Sequence, residues 1–142
     1  MTAQTEAAIG TPATSAIGQL DHVALGVHDL DERIAFLTGT LGMKLGRIGK
    51  HVKTGGRIAM IWDLAGFKLE LIELPNDQPG FQHLAYRVED VEAAHATLVE
   101  RGCTTIRGPH EIGAAKATTA LVEDPSGLQI QVIKYAPDSP DI

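Results

Sequence analysis

Eight stretches of this chain alternate apolar and polar residues, the period-2 pattern of strands with one buried face. They are Leu20–Val27, Lys44–Val52, Arg57–Asp63, Phe67–Leu74, Phe81–Val88, Thr104–Ile112, Ala117–Glu123 and Leu128–Tyr135. Two other stretches place apolar residues at helical spacing: Ile34, Leu37 and Leu41 in one, Val91, Ala94 and Leu98 in the other. Asp29 and Asp90 stand where a helix N-cap is needed, with Glu32 completing a capping-box pattern after the first. Gly42 and Gly102 mark the helix ends. The predicted order is therefore strand, helix and three strands, given twice.

The two halves align residue by residue. LDHVALGVHDLD, from Leu20, and FQHLAYRVEDVE, from Phe81, lie 61 residues apart, and the offset holds without a gap to the end of each half. It pairs His22 with His83, Ala24 with Ala85, Asp29 with Asp90, Leu37 with Leu98, Asp63 with Asp124, Gly66 with Gly127 and Ile72 with Ile133. Matches spread over a whole module predict a structural duplication. The expected fold is α+β: two tandem βαβββ modules, at about 20–75 and 81–136, with the helices on one face of the sheet. Residues 1–19, rich in Ala, Thr, Ser and Gly, are expected to be a flexible leader, and 137–142 a polar tail.

Alternation also sorts the polar residues. Val23, Leu25 and Val27 form the apolar face of the first strand, which leaves His22 and Ala24 opposite. Likewise Leu84 and Tyr86 leave His83, Ala85 and Arg87; Leu69 and Leu71 leave Lys68 and Glu70; Ile130 and Val132 leave Gln129 and Gln131. Glu70 and Gln131 are themselves a pair at the 61-residue offset. If the modules pair about a pseudo-twofold axis, two imidazoles, one carboxylate and one amide converge on the face away from the helices. Those donors suit an octahedral Fe, Mn, Ni, Co or Zn site with open positions. Around it, Arg87, Lys68, Gln129 and Trp62 are candidate substrate contacts, and His51 a candidate base near the rim.

Composition removes several alternatives. A net charge of −6 argues against nucleic acid as the partner, since phosphate binding needs a basic face. No apolar run approaches the roughly 18–20 residues that span a bilayer. The single cysteine, Cys103, allows no internal disulfide, which fits a cytoplasmic location.

The stretches LDHVALGVHDLDERIAFLTGTLGM, FKLELIE, FQHLAYRVEDVEAAHATLVERG and EDPSGLQIQVIKY resemble the vicinal oxygen chelate superfamily, which includes glyoxalase I, methylmalonyl-CoA epimerase, extradiol dioxygenases and bleomycin-binding proteins. The resemblance implies a cupped, mostly antiparallel sheet and a homodimer. It also implies one divalent metal held by His22, Glu70, His83 and Gln131. The implied activity is a metal-dependent isomerase, epimerase or lyase on a small oxygenated metabolite, with Glu70 as ligand and proton carrier and enolate formation favoured by the metal. A ring-cleaving Fe(II) dioxygenase and a non-enzymatic small-molecule binder are the alternatives. Two departures stand out. Gln131 replaces a glutamate found in many members, and an amide cannot serve as a base near neutral pH. The segment RIGKHVKTGG lacks the carboxylate that the epimerase branch usually carries on its second strand, which argues against methylmalonyl-CoA epimerase itself.

Overall fold

The sequence repeat reappears as repeated local geometry. In each module an aspartate caps its helix: Asp29 accepts from the Glu32 amide and Asp90 from the Ala93 amide, both at 3.0 Å. In each module another aspartate closes a hairpin turn. Asp63 accepts from the Ala65 and Phe67 amides, and Asp124 from those of Ser126 and Leu128. Both turns end on a glycine, Gly66 and Gly127, at φ +91°, where a Cβ would be strained.

The computed structural model describes residues 18–50, 55–74 and 79–142. In chain order these form β1 (Gln19–Val27), α1 (Leu30–Gly39), β2 (Lys44–Lys50), β3 (Arg57–Trp62), β4 (Lys68–Glu73), β5 (Gly80–Arg87), α2 (Val91–Glu100), β6 (Thr104–Ile112), β7 (Ala117–Glu123) and β8 (Gln129–Tyr135). The strands make one sheet in the order β2-β3-β4-β1-β5-β8-β7-β6. Each module contributes four neighbouring strands, and the modules join where β1 pairs antiparallel with β5. Only β1–β4 and β5–β8 pair in parallel, so the sheet is mostly antiparallel, as the α+β expectation required.

Two helix-sheet cores hold the modules together, and they are repeat copies of one another. Val27, Leu30, Ala59 and Leu71 are buried under α1, and their equivalents Val88, Val91, Ala120 and Val132 under α2. Leu37 and Leu98 pack at matching places on the two helices. Burying a residue such as Leu71, fully enclosed, contributes about 1.5–3 kcal/mol. With the apolar faces committed to the helices, alternation sends the polar set to the helix-free face.

Two features depart from the simple strand picture. The register of β1 against β5 shifts between Leu20 and His22, leaving Asp21 without a partner on β5. And the stretch after Ala136 does not trail into solvent: Ser139 and Asp141 are buried.

Candidate metal centre

Cross-strand register brings the repeat-related residues together. One row across the centre of the sheet runs Lys68, His22, Ala85, Gln131; the adjoining row runs Glu70, Ala24, His83. Each histidine therefore has an alanine as its repeat-related neighbour. Ala24 and Ala85 are fully buried, and their small side chains leave room between the imidazoles.

The Glu70 carboxylate lies between the rings, 3.9 Å from His22 Nε2 and 3.6 Å from His83 Nε2. The rings meet edge-on, with centroids 5.7 Å apart. Ligand atoms of the three residues fall within 4.8 Å of one another. Those separations exceed a hydrogen bond, whereas atoms sharing a metal at about 2.0–2.2 Å stand roughly 3–4 Å apart.

His22 Nε2, His83 Nε2 and Gln131 Oε1 are buried with no hydrogen-bond partner in the structure. Leaving one such atom unsatisfied costs about 1–3 kcal/mol, so three in one place need a common explanation. Their protonation supplies it. Burial, reinforced by the neighbouring His22 and only partly offset by Gln131, pushes the His83 pKa down to about 4, so this ring is neutral at neutral pH. Gln131 Nε2 donates to Thr119 Oγ1 at 2.8 Å, and that hydroxyl spends its own proton on the Val132 carbonyl. Thr119 thus fixes the amide with its oxygen turned to the histidines. Two imidazole nitrogens, an amide oxygen and a carboxylate thus converge, a donor set that a divalent cation satisfies.

His22 is oriented from behind. Its Nδ1 lies 2.7 Å from Asp21 Oδ2. Burial by itself would raise the Asp21 pKa, but hydrogen bonds from His22, Tyr135 and Lys68 outweigh it and hold the carboxyl well below the usual range. An ionised carboxylate only accepts, so Nδ1 carries the ring proton and Nε2 keeps its lone pair for the cluster. Asp21 also receives Lys68 Nζ at 3.0 Å, Arg87 Nη2 at 2.9 Å and the Tyr135 hydroxyl. The bulge at Asp21 makes this geometry available, because strict alternation would point adjacent side chains to opposite faces.

Burial, more than any neighbouring charge, raises the Glu70 pKa, while His22 opposes the shift. Glu70 is the one carboxyl group of the four, and burial raises its affinity for a proton.

The outer residues fare differently from their sequence assignment. Lys68 is buried, engaged by Asp21 and the Asp141 carbonyl, with its Nζ 4.5 Å from the Tyr135 ring centroid, and the stretch after Ala136 covers it. Arg87 faces the same way as His83 but bonds Asp21, and its guanidinium carbon lies 5.1 Å from the Tyr135 ring centroid. Trp62 sits on the helix-free face in register with Lys68 and packs on Gly46, whose missing side chain makes space for the indole. Gln129 begins β8 opposite Glu123, half-buried. His51 lies outside the described residues. Reading the sequence alone missed Asp21, Thr119 and Tyr135. The Asp-His dipeptide was the only available signal, and it becomes meaningful once the bulge is known.

Fold and site together define a paired-module protein with a His/His/Glu/Gln centre across its pseudo-twofold axis. Residues 19–132 match the Glyoxalase/Bleomycin resistance protein/Dioxygenase superfamily, and the chain belongs to it. The ethylmalonyl-CoA/methylmalonyl-CoA epimerase of Cereibacter sphaeroides is 32% identical over 111 residues, covering 69% of this chain and 82% of that protein. A probable lactoylglutathione lyase of Synechocystis is 29% identical, covering 80% of this chain and 92% of that protein. A probable chloroplastic lactoylglutathione lyase of Arabidopsis thaliana is 28% identical over 82% of this chain, which spans only 35% of that protein's length. The crystal structure of methylmalonyl-CoA epimerase from Mycobacterium tuberculosis superposes with a TM-score of 0.77 at 26% identity, covering 89% of this chain and 94% of that one.

Proposed function

We propose that the protein is a metal-dependent isomerase, epimerase or lyase of this superfamily, acting next to a carbonyl on a small oxygenated metabolite. The observation that carries this reading is the cluster of unpaired buried acceptors, His22 Nε2, His83 Nε2 and Gln131 Oε1, around the Glu70 carboxylate. His22, His83, Glu70 and Gln131 would hold one divalent ion, of the Fe, Mn, Ni, Co or Zn class. When bound, such an ion polarises a substrate oxygen as a Lewis acid.

The remaining chemistry belongs to the chain. Asp21 fixes the His22 tautomer, and Thr119 fixes the Gln131 amide. Gln131 orients without exchanging protons. Glu70, with its proton affinity raised by burial, is the group to take a proton from carbon and return it. No carboxylate lies on β2 to share that work, and Arg47 occupies its centre. The names of the relatives, lyases and epimerases, support this class and lend nothing to ring cleavage or to sequestration without chemistry. A second copy of the chain is the proposed partner, in keeping with the exposed Leu64 and Phe67 at the β3–β4 turn. No helix among the described residues is long and apolar enough to cross a membrane.

The decisive experiment combines metal analysis of the purified protein with deuterium exchange from D2O into methylmalonyl-CoA and S-lactoylglutathione. One metal per chain, and exchange lost with chelator or in Glu70→Gln, are expected. Absence of metal together with chelator-insensitive behaviour would overturn the reading.

A further inference from the structure

Beyond Tyr135 the chain turns back onto the helix-free face and is held there. Ser139 Oγ donates to the Ala115 carbonyl, and the Asp141 amide donates to Ser139 Oγ. The Asp141 side chain, only 4% exposed, accepts from Arg47 through Nε at 2.9 Å and through Nη2. The Asp141 backbone carbonyl accepts from Lys68 Nζ. A carboxylate in the two-pronged grip of a guanidinium, with an ammonium alongside, is the geometry by which proteins recognise anionic ligands.

The grip stands beside the candidate metal centre. Arg47 is in register with Met60, and Met60 with Glu70, on one row of the sheet. Two strand spacings, about 10 Å, separate the Arg47 and Glu70 backbones, and an arginine side chain covers much of that distance. The repeat copies this arrangement only in part: Arg107 pairs with Leu121 and Leu121 with Gln131, so an arginine stands on the matching row, but it is exposed and forms no ion pair among the described residues, and the position 61 residues on from Lys68 is Gln129. What the second module lacks is the buried clamp: Arg47 grips a carboxylate that is 4% exposed, and Arg107 grips none among the described residues.

We propose that Arg47, assisted by Lys68, is a carboxylate-binding subsite beside the metal centre, filled in the resting chain by Asp141 and taken over by a substrate's own carboxylate. The substrate class is a small acid whose carboxylate lies a few bonds from the oxygen reaching Glu70 and the histidines. The catalytic meaning of the subsite rests on the proposed metal centre, but carboxylate binding itself does not.

Malonate is the probe, titrated into the full chain by calorimetry, once metal-free and once loaded with Zn(II), with hydrogen exchange followed at the Ser139 and Asp141 amides. Malonate should speed exchange at both amides of the wild type. Asp141→Ala should bind malonate about tenfold more tightly, because a tethered competitor at high local concentration is gone. Arg47→Ala added to Asp141→Ala should abolish that binding, and Arg47→Lys should weaken it. Asp141→Asn, which keeps the side-chain volume, should behave as Asp141→Ala does and guards against a folding defect. Equal malonate affinity in wild type and Asp141→Ala, with the tail amides unmoved, would overturn the proposal and leave the tail a structural clamp. Binding of inorganic phosphate but not malonate would also overturn it. Arg47-dependent binding to metal-free protein supports the subsite even if metal analysis fails, so the two readings fail separately.

Discussion

Asp21→Asn tests how far the metal centre depends on what lies behind it. The substitution is nearly isosteric but removes the charge and converts one oxygen to a donor. Four groups donate to Asp21: His22 Nδ1, Lys68 Nζ, the Arg87 guanidinium and the Tyr135 hydroxyl. Either orientation of the new amide therefore sets NH2 against donors. Removing one partner of a buried ion pair costs roughly 3–5 kcal/mol, and Asp21 is only 1% exposed. The His22 ring also loses its orienting carboxylate, a change that lowers metal affinity about 10–100-fold in comparable sites. Urea unfolding of metal-free protein should show a lower midpoint at unchanged slope, and Zn(II) calorimetry the weaker affinity. Adding Lys68→Met should recover part of the stability, because the stranded ammonium leaves with it. A loss under about 1 kcal/mol with Zn(II) affinity within twofold of wild type would refute the account of Asp21 as the hub.

Gln131→Glu should tighten metal binding by about tenfold while destabilising metal-free protein, because it sets a second carboxylate near Glu70 in a site that already disfavours one. Unchanged affinity by calorimetry would show that Gln131 does not face the ion. His83 should give metal-free protein a pH-dependent stability. Its folded pKa of about 4 lies below the ordinary 6.5, so the unfolded chain binds the extra proton between those values. Stability should fall by up to about 3 kcal/mol as pH drops from 6.5 to 4, and the slope should flatten in His83→Gln; parallel curves for the two proteins would refute the depressed pKa. Leu71→Ala, at a fully buried position under α1, should cost about 2–5 kcal/mol by chemical denaturation, and a loss below 1 kcal/mol would mean the α1 core is not packed as described.

Much of the architecture was legible because the chain states it twice. The offset of 61 residues aligned His22 with His83 and Glu70 with Gln131, and simple alternation put all four on one face. Lys68 and Arg87 were also assigned to the correct face. What alternation could not supply was who else claims them. Lys68 and Arg87 are taken by Asp21 and Tyr135, residues 47 and more positions away in the chain. The alternation that places His22 would by itself point Asp21 the other way, but a single-residue bulge resets the period there and leaves little trace in composition.

The sequence by itself determined the duplicated βαβββ plan, the caps and turns that punctuate it and the donor types facing away from the helices. These follow from local periodicity and hydrogen bonding, which act over a few residues and are written in the order of the chain. Only the tertiary structure decided that three acceptor atoms end up unpaired around Glu70, that Asp21 gathers four donors, and that Asp141 closes on Arg47 across 94 positions. Those outcomes depend on register between distant strands and on which of several competing charges comes closest. A difference of one residue or a few ångströms reverses them without altering any local pattern.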